Sequence, residues 1–294
     1  MAEQPLNTYR GNCHCGMFVY EVDLPGISSV SECNCSLCSK RGYLWVYPSS
    51  PGQFRVVKGD EDALTSYAFS STHYKFCPHC GTGVLSRTPT APPHLAIGIN
   101  AHAIQELDTW SVERQPYVLE LFDGAAMGSN YEHPRYTGSL PAEEIGGSRI
   151  HSGSCHCGRV QVALSSKPID ETFPEPVVEC KCSICERNAY IWVSPLGVHV
   201  ILHGNGEDIG RYLCSRRVMA KTFCKTCGVP LTNMPVELPE EERQALSDED
   251  QKGYAMIKLM HPVNVRVLEG IDLKKLKIMR LTAGLDLQPV YVNP

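Results

Sequence analysis

Gly11-Asn-Cys13-His-Cys15-Gly16, Cys33-Asn-Cys35-Ser-Leu-Cys38 and Phe76-Cys77-Pro-His-Cys80-Gly81 return in the same order as Gly153-Ser-Cys155-His-Cys157-Gly158, Cys180-Lys-Cys182-Ser-Ile-Cys185 and Phe223-Cys224-Lys-Thr-Cys227-Gly228. The shift is 142 residues for the first motif (Cys13 to Cys155) and 147 for the other two (Cys33 to Cys180, Cys77 to Cys224). Three motifs at near-constant offset mean one domain written twice. Matched pieces lie between them: Tyr43-Leu-Trp45-Val46 with Tyr190-Ile-Trp192-Val193, and glycine turns at Gly59 and Gly204. Gly, Ser, Pro and Glu dominate 124–130 and 138–147, so the boundary belongs there. The division is a first domain over 1–135, a linker over 136–147 and a second domain over 148–294.

Apolar runs within each copy are short and bounded by Gly, Pro, Ser and Asp. They cover 18–22, 44–47, 54–57, 67–69 and 95–99, then 160–164, 190–193, 198–202, 211–213 and 254–259. Val, Tyr, Phe and Ile at strand length predict an all-β, mainly antiparallel class. One stretch, 239–246, has Pro followed by acids and predicts two helical turns. It lies in an acidic insertion of the second copy, about 233–253, read as a solvated excursion.

The 294 residues carry 15 cysteines, and 14 of them fall in the repeated pattern; Cys214 is left over as a small buried hydrophobe. The start of the chain has no basic region followed by an apolar stretch, so the expectation is a cytoplasmic protein. In a reducing compartment such spacing points to metal rather than disulfides. Seven thiols per copy divide into four plus three. Cys13, Cys15, Cys77 and Cys80, with Cys155, Cys157, Cys224 and Cys227, suit a closed tetrahedral structural Zn²⁺. The trios Cys33, Cys35, Cys38 and Cys180, Cys182, Cys185 offer three ligands and an open position, the arrangement of a catalytic zinc. The expected metal content is two structural and up to two further Zn²⁺. Three thiolates leave a bound zinc at net −1, which favours a thiol carrier over a hydroxide generator.

This order of motifs resembles the glutathione-dependent formaldehyde-activating enzyme and centromere protein V family, with its Mss4-like fold, over 11–124 and 153–284. The resemblance implies two tandem Mss4-like zinc-binding β domains, with structural zinc on the outer cysteines and a labile, catalytic zinc on the central trio. It also implies carbon–sulfur lyase chemistry on a thiol–aldehyde adduct, with glutathione or another thiol, or another small reactive carbonyl compound, as the partner. The alternative is a non-catalytic zinc-stabilised binding or structural module. Net charge of −5 argues against a nucleic-acid partner, and no apolar run approaches the ~20 residues of a membrane span.

Several other residues are candidates. His102 and Lys40 are the weak candidates for a catalytic group, His102 because a histidine, His261, also follows the strand expected at 254–259. His14, His156 and His79, inside the knuckles, are expected to face outward, and His73 has no counterpart. Trp45 and Trp192 are expected in the core, or as pocket walls. The two copies end differently, in Phe122-Asp-Gly124 and Leu281-Thr-Ala-Gly284. The first trio is followed by Lys40-Arg41 and the second by Glu186, so the first is expected to attract an anionic thiol and to carry any catalysis.

Overall fold

The computed structural model describes residues 5–116, 118–119, 122–123, 131–141, 146–282 and 289–294. Gly124, Gly284 and parts of the expected linker lie outside them. The β-branched and aromatic runs do pair as mainly antiparallel ladders. The first copy runs β1 (Asn7–Asn12), β2 (Val19–Leu24), β3 (Ser29–Glu32), β4 (Leu44–Val46), β5 (Phe54–Lys58), β6 (Thr65–Phe69), β7 (Thr72–Phe76), β8 (Gly83–Arg87), β9 (Ile97–Asn100) and β10 (Glu113–Pro116), with helix α1 (Ser36–Arg41) before β4. A two-residue ladder, β11 (Val118–Leu119) with β12 (Phe122–Asp123), follows. The second copy supplies β13 (Arg149–Ser154), β14 (Val160–Ser166), β15 (Val177–Cys180), β16 (Ile191–Val193), β17 (Val200–Gly204), β18 (Ile209–Leu213), β19 (Met219–Cys224), β20 (Pro230–Pro235), β21 (Val263–Asn264) and β22 (Ile278–Leu281). Its helices are α2 (Ser183–Arg187), α3 (Glu240–Gln244) and α4 (Asp248–Leu259).

Each copy builds a three-stranded and a seven-stranded sheet. The orders β1-β2-β5 and β10-β3-β4-β9-β8-β7-β6 are repeated as β13-β14-β17 and β22-β15-β16-β21-β20-β19-β18. Among the described residues only the outermost pairs, β10 with β3 and β22 with β15, run parallel.

One expected strand is a helix. Residues 254–259 end α4, whose N-cap Ser247 accepts from the Asp250 N–H and whose first turn holds Asp248, Glu249 and Asp250. Three acids at the positive end of the helix and a capping hydroxyl outweigh a short apolar run. The strand that pairs with Trp192 is β21, through Asn264, just as Asn100 of β9 pairs with Trp45. Asn100 therefore matches Asn264, and His102 matches Arg266 rather than His261.

The copies face each other about an approximate twofold axis. Gly81 abuts the Phe223 ring and Gly228 abuts the Phe76 ring. Gly42 closes α1 in the left-handed region at φ 63, and its counterpart Ala189 has φ 49. A Cβ on Gly42 would lie 2.5 Å from the Cβ of Ala189, so the two turns meet near the axis. The buried cores are shared: Cys185, Tyr190, Trp192 and Phe223 pack with the first copy, while Cys38, Tyr43 and Trp45 pack with the second. Burying apolar area between the copies contributes about 25 cal/mol per Å², so each half leans on the other.

The tails complete this exchange. Tyr131 stacks on His156 and Tyr291 stacks on His14, with ring centroids 4.1 and 4.4 Å apart. Each phenol donates to the carbonyl oxygen of the histidine it covers, at 2.8 Å. Pro134 then packs on Gly158 and Pro294 on Gly16.

Candidate metal centres and their cavities

Four thiol clusters form, each with all its sulfurs within 4.8 Å of one another: Cys13, Cys15, Cys77, Cys80; Cys155, Cys157, Cys224, Cys227; Cys33, Cys35, Cys38; and Cys180, Cys182, Cys185. All 15 cysteines are free. The sulfur–sulfur distances are 3.5 Å for Cys13–Cys15, 3.6 Å for Cys15–Cys77, and 3.5 Å for both Cys155–Cys157 and Cys157–Cys224. A tetrahedral site with Zn–S bonds near 2.3 Å has edges of about 3.8 Å, so these sulfurs fit a zinc-sized ion. The C-x-C turns aim their sulfurs with backbone support. Phe18 N–H donates to Cys13 Sγ and Val160 N–H to Cys155 Sγ, both at 3.3 Å. Gly16 and Gly81, at φ 70 and 73, supply the left-handed turns beside the knuckles.

Each trio spans a strand end and the helix after it. Cys35 caps α1, its sulfur accepting from the Cys38 N–H at 3.4 Å. Hydrogen bonds from Cys33 and Cys38 hold Cys35 down to about 3, and the bond with Cys35 pushes Cys33 up to about 11. Filling the trio with metal would release the remaining protons. In the second trio the indole N–H of Trp192 donates to Cys185 Sγ at 3.4 Å.

The two trios open on very different spaces. Cys33, Cys35 and Cys38 line a cavity of about 170 Å³ walled by Trp45, Tyr47, Phe69, Tyr74 and neutral side chains, with no charged residue. Cys182 of the second trio lines a cavity of about 950 Å³ between the copies, with His14, His102, Lys221 and Asn233 among its walls. The offset of 147 places Tyr74 against Lys221 and Ser86 against Asn233, and the β7–β8 and β19–β20 registers agree. Cys214, one residue past β18, is the counterpart of Phe69 when the β6–β7 and β18–β19 registers are superposed; it is half-buried and lines the larger cavity. It is a cavity wall rather than a plain core residue.

Several candidates sit elsewhere than expected. Lys40 and Arg41 are both 4% exposed and are not surface charges. Lys40 Nζ donates to the carbonyl oxygens of Ser154 (3.0 Å) and Val267 (3.4 Å), and Arg41 donates to those of Gly228 and Gly81. Their cations bind the copies together and neither lines the first trio's cavity. The α1 helix turns them inward because positions 40 and 41 lie on the face packed against the second copy. Glu186 borders the larger cavity, half-buried, with its carboxyl pushed up by burial.

Two of the three knuckle histidines, His14 and His156, are interior, whereas His79 is exposed as expected. His14 contacts Tyr212 Oη and Ser183 Oγ, both at 2.9 Å, and His156 contacts Tyr67 Oη (2.8 Å) and Ser36 Oγ (3.0 Å). Burial lowers both to about 4, so both are neutral. His79 touches the Tyr212 ring edge-on, and His73 stays exposed near Ser66. His261 is tied to Thr232 Oγ1 at 3.0 Å. His102 borders the second trio's cavity, although it belongs to the first copy, and its Nδ1 has no hydrogen-bond partner. Burial, with Arg114 and Arg266 nearby, lowers it to about 3. Trp45 walls the first cavity while Trp192 supports Cys185.

Sequence reasoning missed the tails and Lys221. Tyr131-Glu-His-Pro134 recurs as Tyr291-Val-Asn-Pro294, a signal hidden by its longer offset of 160 (131 to 291). Lys221 was findable by carrying the offset of 147 through from the cysteines.

Fold and clusters together define a tandem β protein built around metal-type cysteine centres. The profile of the glutathione-dependent formaldehyde-activating enzyme family matches residues 8–119 and 150–246, one segment in each copy. The chain belongs to that family. A crystal structure of a Rhodobacter sphaeroides protein is also similar, at 28% identity over 36% of this chain and 99% of that one, with a TM-score of 0.32. No helix among the described residues is long and apolar enough to cross a membrane.

Proposed function

We propose that this chain is a zinc-dependent enzyme of carbon–sulfur lyase type, joining or separating a thiol and a small aldehyde at a three-cysteine centre. The observation that carries the reading is that both trios gather three sulfurs and stop there, each beside a cavity. The four-cysteine clusters are closed by their own ligands and serve as structural zinc sites. Zinc on a trio would supply a Lewis acid with one open position for a sulfur or oxygen atom.

In the forward direction the substrate's thiolate sulfur bonds to the carbonyl carbon, the carbonyl π pair moves to oxygen, and that oxygen takes a proton. The reverse step returns the proton and breaks the C–S bond, with no net oxidation. The chain's part is to desolvate and orient. His102, neutral and with a free ring nitrogen, can hold a hydrogen bond to the hydroxyl oxygen of the adduct in the larger cavity. The free cysteines fit a reducing compartment, in keeping with a cytoplasmic site of action and a glutathione-like partner.

The test is cobalt substitution. Replacing zinc with cobalt and adding a thiol should shift the visible spectrum, because the thiol's sulfur joins the three protein sulfurs. A spectrum unmoved by saturating thiol would exclude substrate sulfur from the centre.

A further inference from the structure

The two trios are not equivalent partners for a substrate, and the difference is a single exchange at the cavity wall. In the first copy Tyr74 stands beside its trio, stacked on Tyr43 with ring centroids 5.9 Å apart, and closes a small uncharged slot. In the second copy that place belongs to Lys221, only 9% exposed. Its ammonium lies 4.7 Å from the Trp192 ring centroid and 5.5 Å from that of Tyr190. Trp192 in turn donates to Cys185. A buried cation is costly unless opposite charge lies near it; the Cys185 thiol, which Cys180, Cys182 and Lys221 together hold down, supplies part of that charge, and a carboxylate would supply more. Of the other cations lining this cavity, Lys181 pairs with Asp108 and Arg216 with Asp250, Arg187 donates to Asn12 and Asn293, and Arg217 is exposed to solvent, so Lys221 is the buried ammonium among them. No carboxylate among the described residues pairs with Lys221.

We infer that Lys221 is the recognition residue for a carboxylate-bearing thiol in the cavity that Cys182 of the second trio lines, so that the second copy, and not the first, takes the anionic substrate. The inference rests on the thiol reading above and says which centre serves it and why. Its geometry fits: about 950 Å³ holds a tripeptide-sized ligand, whereas about 170 Å³ holds only a few heavy atoms. Asn233 offers a second polar contact, since its buried Oδ1 has no partner and can accept from the ligand's amide N–H. Glu106 and Glu186 line the same cavity and disfavour an anion placed beside them.

Calorimetric titration of the zinc-loaded full chain with glutathione and, separately, with uncharged 2-mercaptoethanol tests this. Lys221→Met should weaken glutathione by about tenfold or more, the scale of one desolvated charge contact, and leave 2-mercaptoethanol unchanged, which also shows that the variant is folded. Lys221→Arg should restore most of the glutathione affinity. Cys182→Ser should abolish the glutathione site. Glutathione binding that survives Cys182→Ser, or that is indifferent to Lys221→Met, overturns the inference while leaving thiol binding intact. Failure of both thiols to bind the unaltered chain would instead remove the thiol reading itself.

Discussion

Lys40 and Arg41 show what a residue's place in the fold does to its reading. In the sequence they are a basic pair beside a metal-type trio; in the structure their charges satisfy carbonyl oxygens of the other copy. Removing Arg41 leaves those buried carbonyls unpaired, so Arg41→Met should lower unfolding stability by about 2–4 kcal/mol in a denaturant titration. A loss below about 0.5 kcal/mol would mean the contacts contribute little. The cysteines, by contrast, were readable at once, because C-x-C and C-x-x-C spacings fix where sulfurs can point. Cys77→Ser or Cys224→Ser should forfeit metal-coupled folding energy and unfold much of the chain, whereas Cys35→Ser should leave it folded with one zinc fewer. Circular dichroism with zinc analysis separates the two outcomes. Equal unfolding in both classes would make the trios structural as well. Buried histidines outside the clusters, His102 and His261 foremost, set a pH response. His102 is lowered to about 3 and His261 to about 4, so their stabilisation is complete above the unfolded value near 6.5 and is lost as pH falls from there toward 4 or below. Thermal melts should therefore decline below pH 6.5, and less steeply in His102→Gln; identical slopes would remove His102 from the effect.

At the scale of elements, strands were the easy part and their neighbours the hard part. Short runs of Val, Ile, Phe and Tyr between glycine and proline turns leave little besides antiparallel ladders. Residues 254–259 defeat that rule because Ser247 and three acids nucleate α4 upstream of them. The tails were beyond it, since Tyr131 and Tyr291 act by stacking on histidines far away in the chain. Tyr291→Phe removes the bonds to Asn12 and to the His14 carbonyl oxygen, and should cost about 1–2 kcal/mol by thermal unfolding, with Tyr131→Phe costing less because it loses the one bond to the His156 carbonyl oxygen. At the interface Gly228 sits at φ 69, and an added Cβ would meet the Arg41 guanidinium and the Phe76 ring, the latter at 2.8 Å. Gly228→Ala should destabilise both halves together.

For the whole molecule, the repeat announced two copies but not their embrace. No local pattern says that Phe76 packs on Gly228 or that Cys185 belongs to the first copy's core; such contacts arise only once two similar faces meet about an axis. The cavity beside Cys182 exists for the same reason, since its walls come from both copies. Residues 1–135 alone should thus fail to form a stable monomer. The central claim is that thiol–aldehyde chemistry occurs at the open three-cysteine centres of an otherwise zinc-stapled scaffold. Its most direct test is the rate of thiol–formaldehyde adduct formation in the double variant Cys35→Ser/Cys182→Ser, with zinc counted in the same sample. The account predicts a folded chain that keeps its two structural zincs and has lost catalysis above the uncatalysed rate. Full activity in that variant would contradict it.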